Sequence, residues 1–151
     1  VEQAKASGAN GFIIPDLPPE EGVSFELHCT NNQLALSYLL APTSTEERIK
    51  LVAKKASGFV YLVSLTGVTG ARLDLPNYLQ DFVGRVRRHV TDPLAIGFGI
   101  STPEQAQEVG KLVEGVIVGS KLINIAGDSD NPAEACGQFV ADMTAALKQD
   151  S

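Results

Sequence analysis

Glycine recurs in this sequence wherever a run of strand-forming residues ends. Phe59-Val60-Tyr61-Leu62-Val63 leads to Gly67-Val68-Thr69-Gly70, Leu94-Ala95-Ile96 leads to Gly97-Phe98-Gly99-Ile100-Ser101, and Val116-Ile117-Val118 leads to Gly119-Ser120. Each turn precedes a segment able to start a helix. Glycine lets a backbone approach a ligand and turn its N–H groups towards it, and a helix start adds partial positive charge. Two or three such turns side by side make a cradle for a phosphate dianion without lysine or arginine. One glycine turn after a strand is ordinarily just a turn; three at successive strand ends point to an anion site.

Other chemistries fit less well. Gly97-Phe98-Gly99 does not extend to a dinucleotide fingerprint, because Thr102 stands where the third glycine belongs. No Gly-Lys-Ser/Thr follows any glycine turn, so a nucleotide P-loop is excluded as well. His28 and His89 lack metal-ligand spacing, and no metal site is expected. Cys29 and Cys136 are too few for a disulfide framework and read as buried or half-buried free thiols in a reducing, cytoplasmic setting. No Ser-His-Asp set stands out. Asp16, between Pro15 and Leu17 at a strand end, suits catalysis, partner contact or capping of the next helix. Tyr61 sits in mid-strand, in register to point inward. Thr69 is placed to bond a catalytic group or the backbone, and Lys121 lies one step past its strand.

These residues are positioned by a regular alternation. Strands are predicted at 11–14, 35–41, 59–64, 94–98 and 116–118, and helices at about 20–31, from Glu46 to Gly58, 75–89, from Ser101 to Val113, and 133–148. Thr45 and Thr102-Pro103 read as helix starts. Leu122–Ala126 is expected to form a small extra helix, and residues 2–6 the end of one stopped at Gly8. The strands are nearly all apolar, so both faces should be covered and the sheet parallel. Right-handed crossovers in series give a doubly wound sheet or part of a (β/α)8 barrel. The barrel is favoured, because barrel phosphate sites use the loops after strands seven and eight and a small extra helix. Five strands cannot close that barrel, so two edges are expected to be bare.

At 151 residues the chain can bury a core. Its net charge of −6 argues against nucleic acid and anionic membrane as partners, and no apolar run reaches the length of a membrane span. The sequence opens on Val1 and has Met143 as its only methionine, so it reads as the back part of a longer polypeptide.

The segments 11–21, 40–43, 59–70, 97–101 and 118–120, taken in order, closely resemble the tryptophan synthase alpha chain family along essentially the whole sequence. The run from Tyr61 to Gly70 and the Gly-Phe-Gly-Ile-Ser turn are the most specific parts. The resemblance implies a TIM barrel of which these residues supply strands four to eight. It implies a lyase of tryptophan biosynthesis that cleaves indole-3-glycerol phosphate by a retro-aldol reaction to indole and glyceraldehyde 3-phosphate. It also implies an alpha-beta-beta-alpha heterotetramer whose beta chain holds pyridoxal phosphate, the alpha chain using no cofactor. Gly70, Gly97, Gly99, Gly119 and Ser120 would hold the substrate phosphate. Phe98, Tyr61, Leu39, Ile13 and Ile117 would line the indole-glycerol pocket. Thr69 would support a catalytic aspartate from a closing loop, and Asp16 would face the beta chain and help pass signals. The cytoplasm is the expected location, or a plastid if the source is a plant.

The family's catalytic glutamate and aspartate belong to strands two and three and have no counterpart here. These residues alone are therefore expected to be inactive, and unstable with open edges. Two other readings stand beside this one: a stand-alone indole-3-glycerol-phosphate lyase, and a non-catalytic phosphate-binding half-barrel module.

Overall fold

Apolar residues at strand and helix periods resolve, in a computed structural model, into a one-sided arc of parallel strands backed by helices. The structure describes residues 1–63, 77–97 and 99–148. Along the chain run α1 (Glu2–Ala6), β1 (Gly11–Ile13), α2 (Val23–Asn31), β2 (Ala35–Ser37), β3 (Leu39–Leu40), α3 (Glu46–Lys55) and β4 (Val60–Val63). There follow α4 (Asn77–Arg87), β5 (Leu94–Gly97), α5 (Pro103–Gly110), β6 (Gly115–Val116), α6 (Ser120–Asp128) and α7 (Pro132–Leu147).

Every strand pairing is parallel. β1 pairs with β2, and β3, β4, β5 and β6 pair in that order. The two ladders meet at Tyr38, whose carbonyl accepts from Tyr61 N at 2.9 Å, while Leu36 O accepts from Ser57 N at 3.1 Å. The expected single strand over 35–41 is thus broken at Tyr38: its first half reaches back to β1 and its second half forward to β4. β2 and β3 together fill one strand position in an arc of five.

The alternation of strand side chains separates two faces. Leu36, Tyr38, Leu40, Val60, Leu62, Leu94 and Ile96 are buried, packed in one cluster with Ile49, Val52, Phe82, Val86, Ala106 and Val109 of the helices. Each of the buried Val, Leu, Ile and Phe side chains contributes roughly 1.5–3 kcal/mol by leaving water. On the opposite face Leu39, Tyr61, Val63, Ala95 and Gly97 are only half-buried, and Ile13 is 44% exposed. The expectation that both faces would be covered therefore holds for the helix side alone among the described residues. The other face is the concave side of the arc.

Local chemistry sets the helix starts. Thr45 Oγ1 accepts from Arg48 N at 3.2 Å, and Thr102 Oγ1 accepts from Gln105 N at 3.3 Å with Pro103 in the first turn. Gln105 Oε1 reaches back to accept from Ser101 N at 2.9 Å, a near-reciprocal capping arrangement. α2 begins at Val23 rather than at Glu20. Glu21 N instead closes a turn on Pro18 O at 3.0 Å, so the chain is still turning where the helix was expected to start. β6 is shorter than expected and shifted to Gly115–Val116, although Ile117 N still donates to Ile96 O at 2.8 Å. The extra helix is longer than expected, running from Ser120 to Asp128. α1 ends before Gly8, whose φ of +89° suits the residue that stops it.

Candidate functional site

Parallel strands send all their carboxyl ends to one edge, and the glycine turns leave from it. β5 ends at Gly97, and Gly99 follows with φ +64° and an exposed backbone. The neighbouring β6 leads to Gly119, the residue before α6, with open space where a side chain would stand. The first internal bond of α6 runs from Ile123 N to Gly119 O at 3.2 Å. The N–H groups of Ser120, Lys121 and Leu122 therefore have no acceptor within the helix. Gly97, Gly99, Gly119 and Ser120 thus lie beyond the same ends of two hydrogen-bonded strands. Gly70, expected to join them, lies outside the described residues, as do Thr69 of the expected closing loop and Phe98 of the expected pocket.

Gly97 has a second reason to be glycine. A Cβ built there would stand 2.2 Å from Tyr61 Oη and 2.5 Å from its Cε2. The Tyr61 ring therefore crosses the end of β5, on the concave face as its register predicts. Leu39 pairs with Tyr61, Tyr61 with Ala95, and Ala95 with Gly115. Ile117, two residues beyond Gly115, shares that face by alternation, and Ile13 pairs with Ser37 on it. The expected pocket residues Ile13, Leu39, Tyr61 and Ile117 are thus on one surface. Val63 and Ala95 belong to it as well and were not singled out from sequence, although stepping by two from Tyr61 along its strand finds Val63.

Asp16 stands elsewhere along the edge. It is exposed and lines a cavity of about 460 Å³ with Pro15, Leu17, Tyr38, Leu39, Arg48 and Val63. It does not cap α2, whose first flanking residue is Gly22, with no side-chain cap bond. Because β1 and β6 are at opposite ends of the strand order, Asp16 and Ser120 flank the arc rather than share one pocket. Leu39 and Val63 belong to both the concave face and the Asp16 cavity and join the two regions.

The charged groups described around the arc are structural. Tyr38 Oη donates to Glu26 Oε1 at 2.5 Å; burial and then this bond push the phenol well above its ordinary range. Lys55 Nζ donates to the same Glu26 oxygen at 2.9 Å and to Pro19 O at 2.6 Å. No local sequence signal marks this group, because its members lie far apart in the chain. His89 Nε2 meets Glu46 Oε2 at 2.7 Å. Glu114 pairs with Arg87 and accepts from Leu94 N at 2.8 Å; desolvation raises its pKa, and these bonds outweigh that and hold it below the usual value. Cys29 is buried and Cys136 half-buried, both as free thiols. No group of three His, Cys, Asp or Glu able to hold a metal occurs among the described residues, and no described helix is long and apolar enough to cross a membrane.

A parallel arc with helices on its convex side, and glycine turns and a helix start at its carboxyl edge, defines a segment of a (β/α)8 barrel. The family model of the tryptophan synthase alpha chain matches residues 1–150. The tryptophan synthase alpha chain of Dehalococcoides mccartyi is 48% identical over 146 residues, covering 97% of this chain and 57% of that one. A structure of the tryptophan synthase a2b2 complex of Pyrococcus furiosus superposes with a TM-score of 0.84 at 34% identity, over 95% of this chain and 58% of that chain. Tryptophan synthase from Mycobacterium tuberculosis gives 0.85 at 31% identity, over 96% and 54%. The chain belongs to the tryptophan synthase alpha chain family. It spans about half the length of the curated relatives it matches. Its fold is that of the TIM barrel, with β1, the broken β2–β3 position, β4, β5 and β6 as strands four to eight.

Proposed function

We propose that residues 1–151 are the carboxyl-terminal portion of a single TIM-barrel domain, the alpha subunit of a tryptophan synthase. The reaction is the retro-aldol cleavage of indole-3-glycerol phosphate to indole and glyceraldehyde 3-phosphate. Gly97, Gly99, Gly119 and Ser120, with Gly70, take the phosphate through backbone amides and the start of α6. Tyr61, Leu39, Ile13 and Ile117, with Phe98, hold the indole-glycerol part. The observation that carries this reading is the shared edge: the Gly97–Gly99 turn and the α6 start leave neighbouring strand ends beside the ring of Tyr61.

Breaking the carbon–carbon bond requires a proton delivered to the indole ring carbon and another taken from the glycerol hydroxyl, so placed titratable groups are needed. The concave face of the described residues offers Ile13, Ser37, Leu39, Tyr61, Val63, Ala95 and Ile117, and no carboxylate. The acid–base glutamate and the aspartate on the indole N–H therefore come from barrel strands outside these 151 residues, with Thr69 supporting the aspartate. What this chain supplies is binding and orientation, and alone it is inactive. Asp16, at the far end of the edge, faces a beta chain that holds pyridoxal phosphate and condenses the indole with serine. The assembly works in the cytoplasm.

The test is a chimera in which this chain replaces the matching residues of the Dehalococcoides mccartyi alpha chain. Indole release from indole-3-glycerol phosphate is expected, with strong stimulation by that organism's beta chain. A folded chimera that binds inorganic phosphate yet releases no indole supports a binding module instead. Full activity without any response to the beta chain supports a stand-alone lyase.

A further inference from the structure

The loop that carries Asp16 is closed by its own turns and tied to α3. Leu17 N donates to Ile14 O at 3.2 Å and Glu21 N to Pro18 O at 3.0 Å, so the loop is two consecutive turns. Its far end is held from α3. Lys55 Nζ, on a side chain only 18% exposed, donates to Pro19 O at 2.6 Å and to Glu26 Oε1 at 2.9 Å. The same Glu26 oxygen takes the Tyr38 hydroxyl, and Tyr38 is 2% exposed at the break between β2 and β3. Gly22 is pressed onto that hydroxyl so closely that a Cβ there would stand 2.0 Å from it. Glu20, one residue past Pro19, is tied to Arg48 of α3 at 2.6 Å, on the exposed side.

A surface ammonium is ordinarily worth little as a strap. Lys55 differs because it is mostly withdrawn from water and divides its donors between a carboxylate and a main-chain carbonyl, which makes the contact charge-assisted. The carbonyl belongs to the loop itself, three residues from Asp16. We propose that Lys55, held by Glu26 and Tyr38, is a positioning residue for the Pro15–Pro19 loop, fixing where Asp16 stands at the rim of the neighbouring cavity and so setting how firmly a beta chain docks there. The proposal rests on the reading of Asp16 as partner-facing.

Two readouts separate the claims, both made on the full-length chimera. Amide hydrogen exchange at Leu17 and Glu21 reports the loop directly, whatever the activity. Losing a charge-assisted bond predicts exchange ~10-fold faster at both amides in Lys55→Met, with Lys55→Arg close to the parent. Titration with the beta chain should then need ~10-fold more partner for half-maximal binding, while indole release by the alpha chain alone stays as it was. In an Asp16→Asn background, Lys55→Met should weaken docking no further. Unchanged exchange in Lys55→Met overturns the positioning role, and so does a loss of docking that Lys55→Arg fails to restore. If Lys55→Met does not fold, Glu26→Gln, which keeps shape and an acceptor oxygen, carries the test: faster exchange at the two amides supports the role and unchanged exchange overturns it. Faster exchange together with unchanged beta-chain binding overturns the docking half. A parent chimera that never releases indole counts against the proposed function instead, and the exchange measurement still decides the role of Lys55.

Discussion

The ring of Tyr61 occupies the space that a side chain on Gly97 would need, with the phenol oxygen 2.2 Å from the position of a Cβ. One strand end and its neighbour's aromatic ring are thus mutually fitted, and the fit sits where the sugar-phosphate tail is proposed to lie.

Gly97→Ala must displace that ring. Overpacking of this kind costs about 1–3 kcal/mol, and the displaced ring should also raise KM for indole-3-glycerol phosphate in the full-length chimera. The mechanism is checked by a double-mutant cycle using denaturant unfolding. Tyr61→Ala removes the atoms that the new methyl meets, so adding Gly97→Ala to it should cost much less than adding it to the parent. Equal costs in both backgrounds would show that the ring is not what excludes a side chain.

Ser120→Asp separates helix stability from anion binding. A carboxylate in the first turn of α6 interacts favourably with the helix dipole, worth about 0.3–1 kcal/mol. The same charge repels the phosphate dianion proposed to bind at the N–H groups of residues 120–122, which have no acceptor within the helix. Thermal melts should therefore show the variant equal to or slightly above the parent without ligand, but with most of the stabilisation by glycerol phosphate gone. A variant that keeps the parent's ligand-induced shift would remove the α6 start from the phosphate site.

Glu114 gives a pH-dependent contribution of known sign. Its folded pKa lies below the ordinary value of 4.5 because Arg87 and the Leu94 N–H favour the carboxylate more than desolvation disfavours it. The contribution is therefore complete above about pH 4.5 and is lost as the pH falls through the folded value. The side chain is 55% exposed, so solvent screening limits the effect to about 0.5–1 kcal/mol. Urea unfolding of parent and Glu114→Gln should differ by that amount at pH 7, and the difference should shrink as the pH falls below 4.5 and through the folded value. A constant difference across this range would mean that the charge is not responsible.

Much of this architecture was legible in the sequence because local signals agreed with each other. Thr45 and Thr102-Pro103 mark helix starts through their own side chains, and the stripe of Leu79, Phe82, Val83 and Val86 marks a buried helix face; all four are buried. The concave position of Tyr61 followed from strand alternation. The break at Tyr38 was not legible, since Ala35 to Ala41 is uniformly strand-like and only the change of neighbour, from β1 to β4, interrupts it. The tight fit of Gly22 against the Tyr38 hydroxyl, 16 residues away in sequence, is encoded by no local pattern. The Lys55–Glu26–Tyr38 group is likewise a product of tertiary packing. Asp16 read as a possible helix cap because residue type alone favours that role; the proline-rich turns that follow it carry the chain too far before α2 begins.

The 151-residue polypeptide on its own should be inactive and prone to self-association. Its concave face leaves Ile13 44% exposed. At the other end of the arc, Ile123 is 72% and Val140 48% exposed, on an apolar hollow of about 580 Å³ between α6 and α7 that Leu122, Ala126, Cys136 and Gly137 complete. The end strands β1 and β6 each have a single described neighbour, and unpaired strand edges recruit other chains. Ile123→Lys interrupts the hollow with a charge at a side chain that is 72% exposed. It should shift the isolated polypeptide towards monomer in analytical ultracentrifugation. In the full-length chimera it should instead destabilise, by about 1–3 kcal/mol, because the remaining barrel segments are expected to cover that side chain and leave the ammonium short of water. An isolated parent that sediments as a monodisperse monomer, or a chimera indifferent to Ile123→Lys, would show that the α6–α7 hollow is not a surface the rest of the barrel covers.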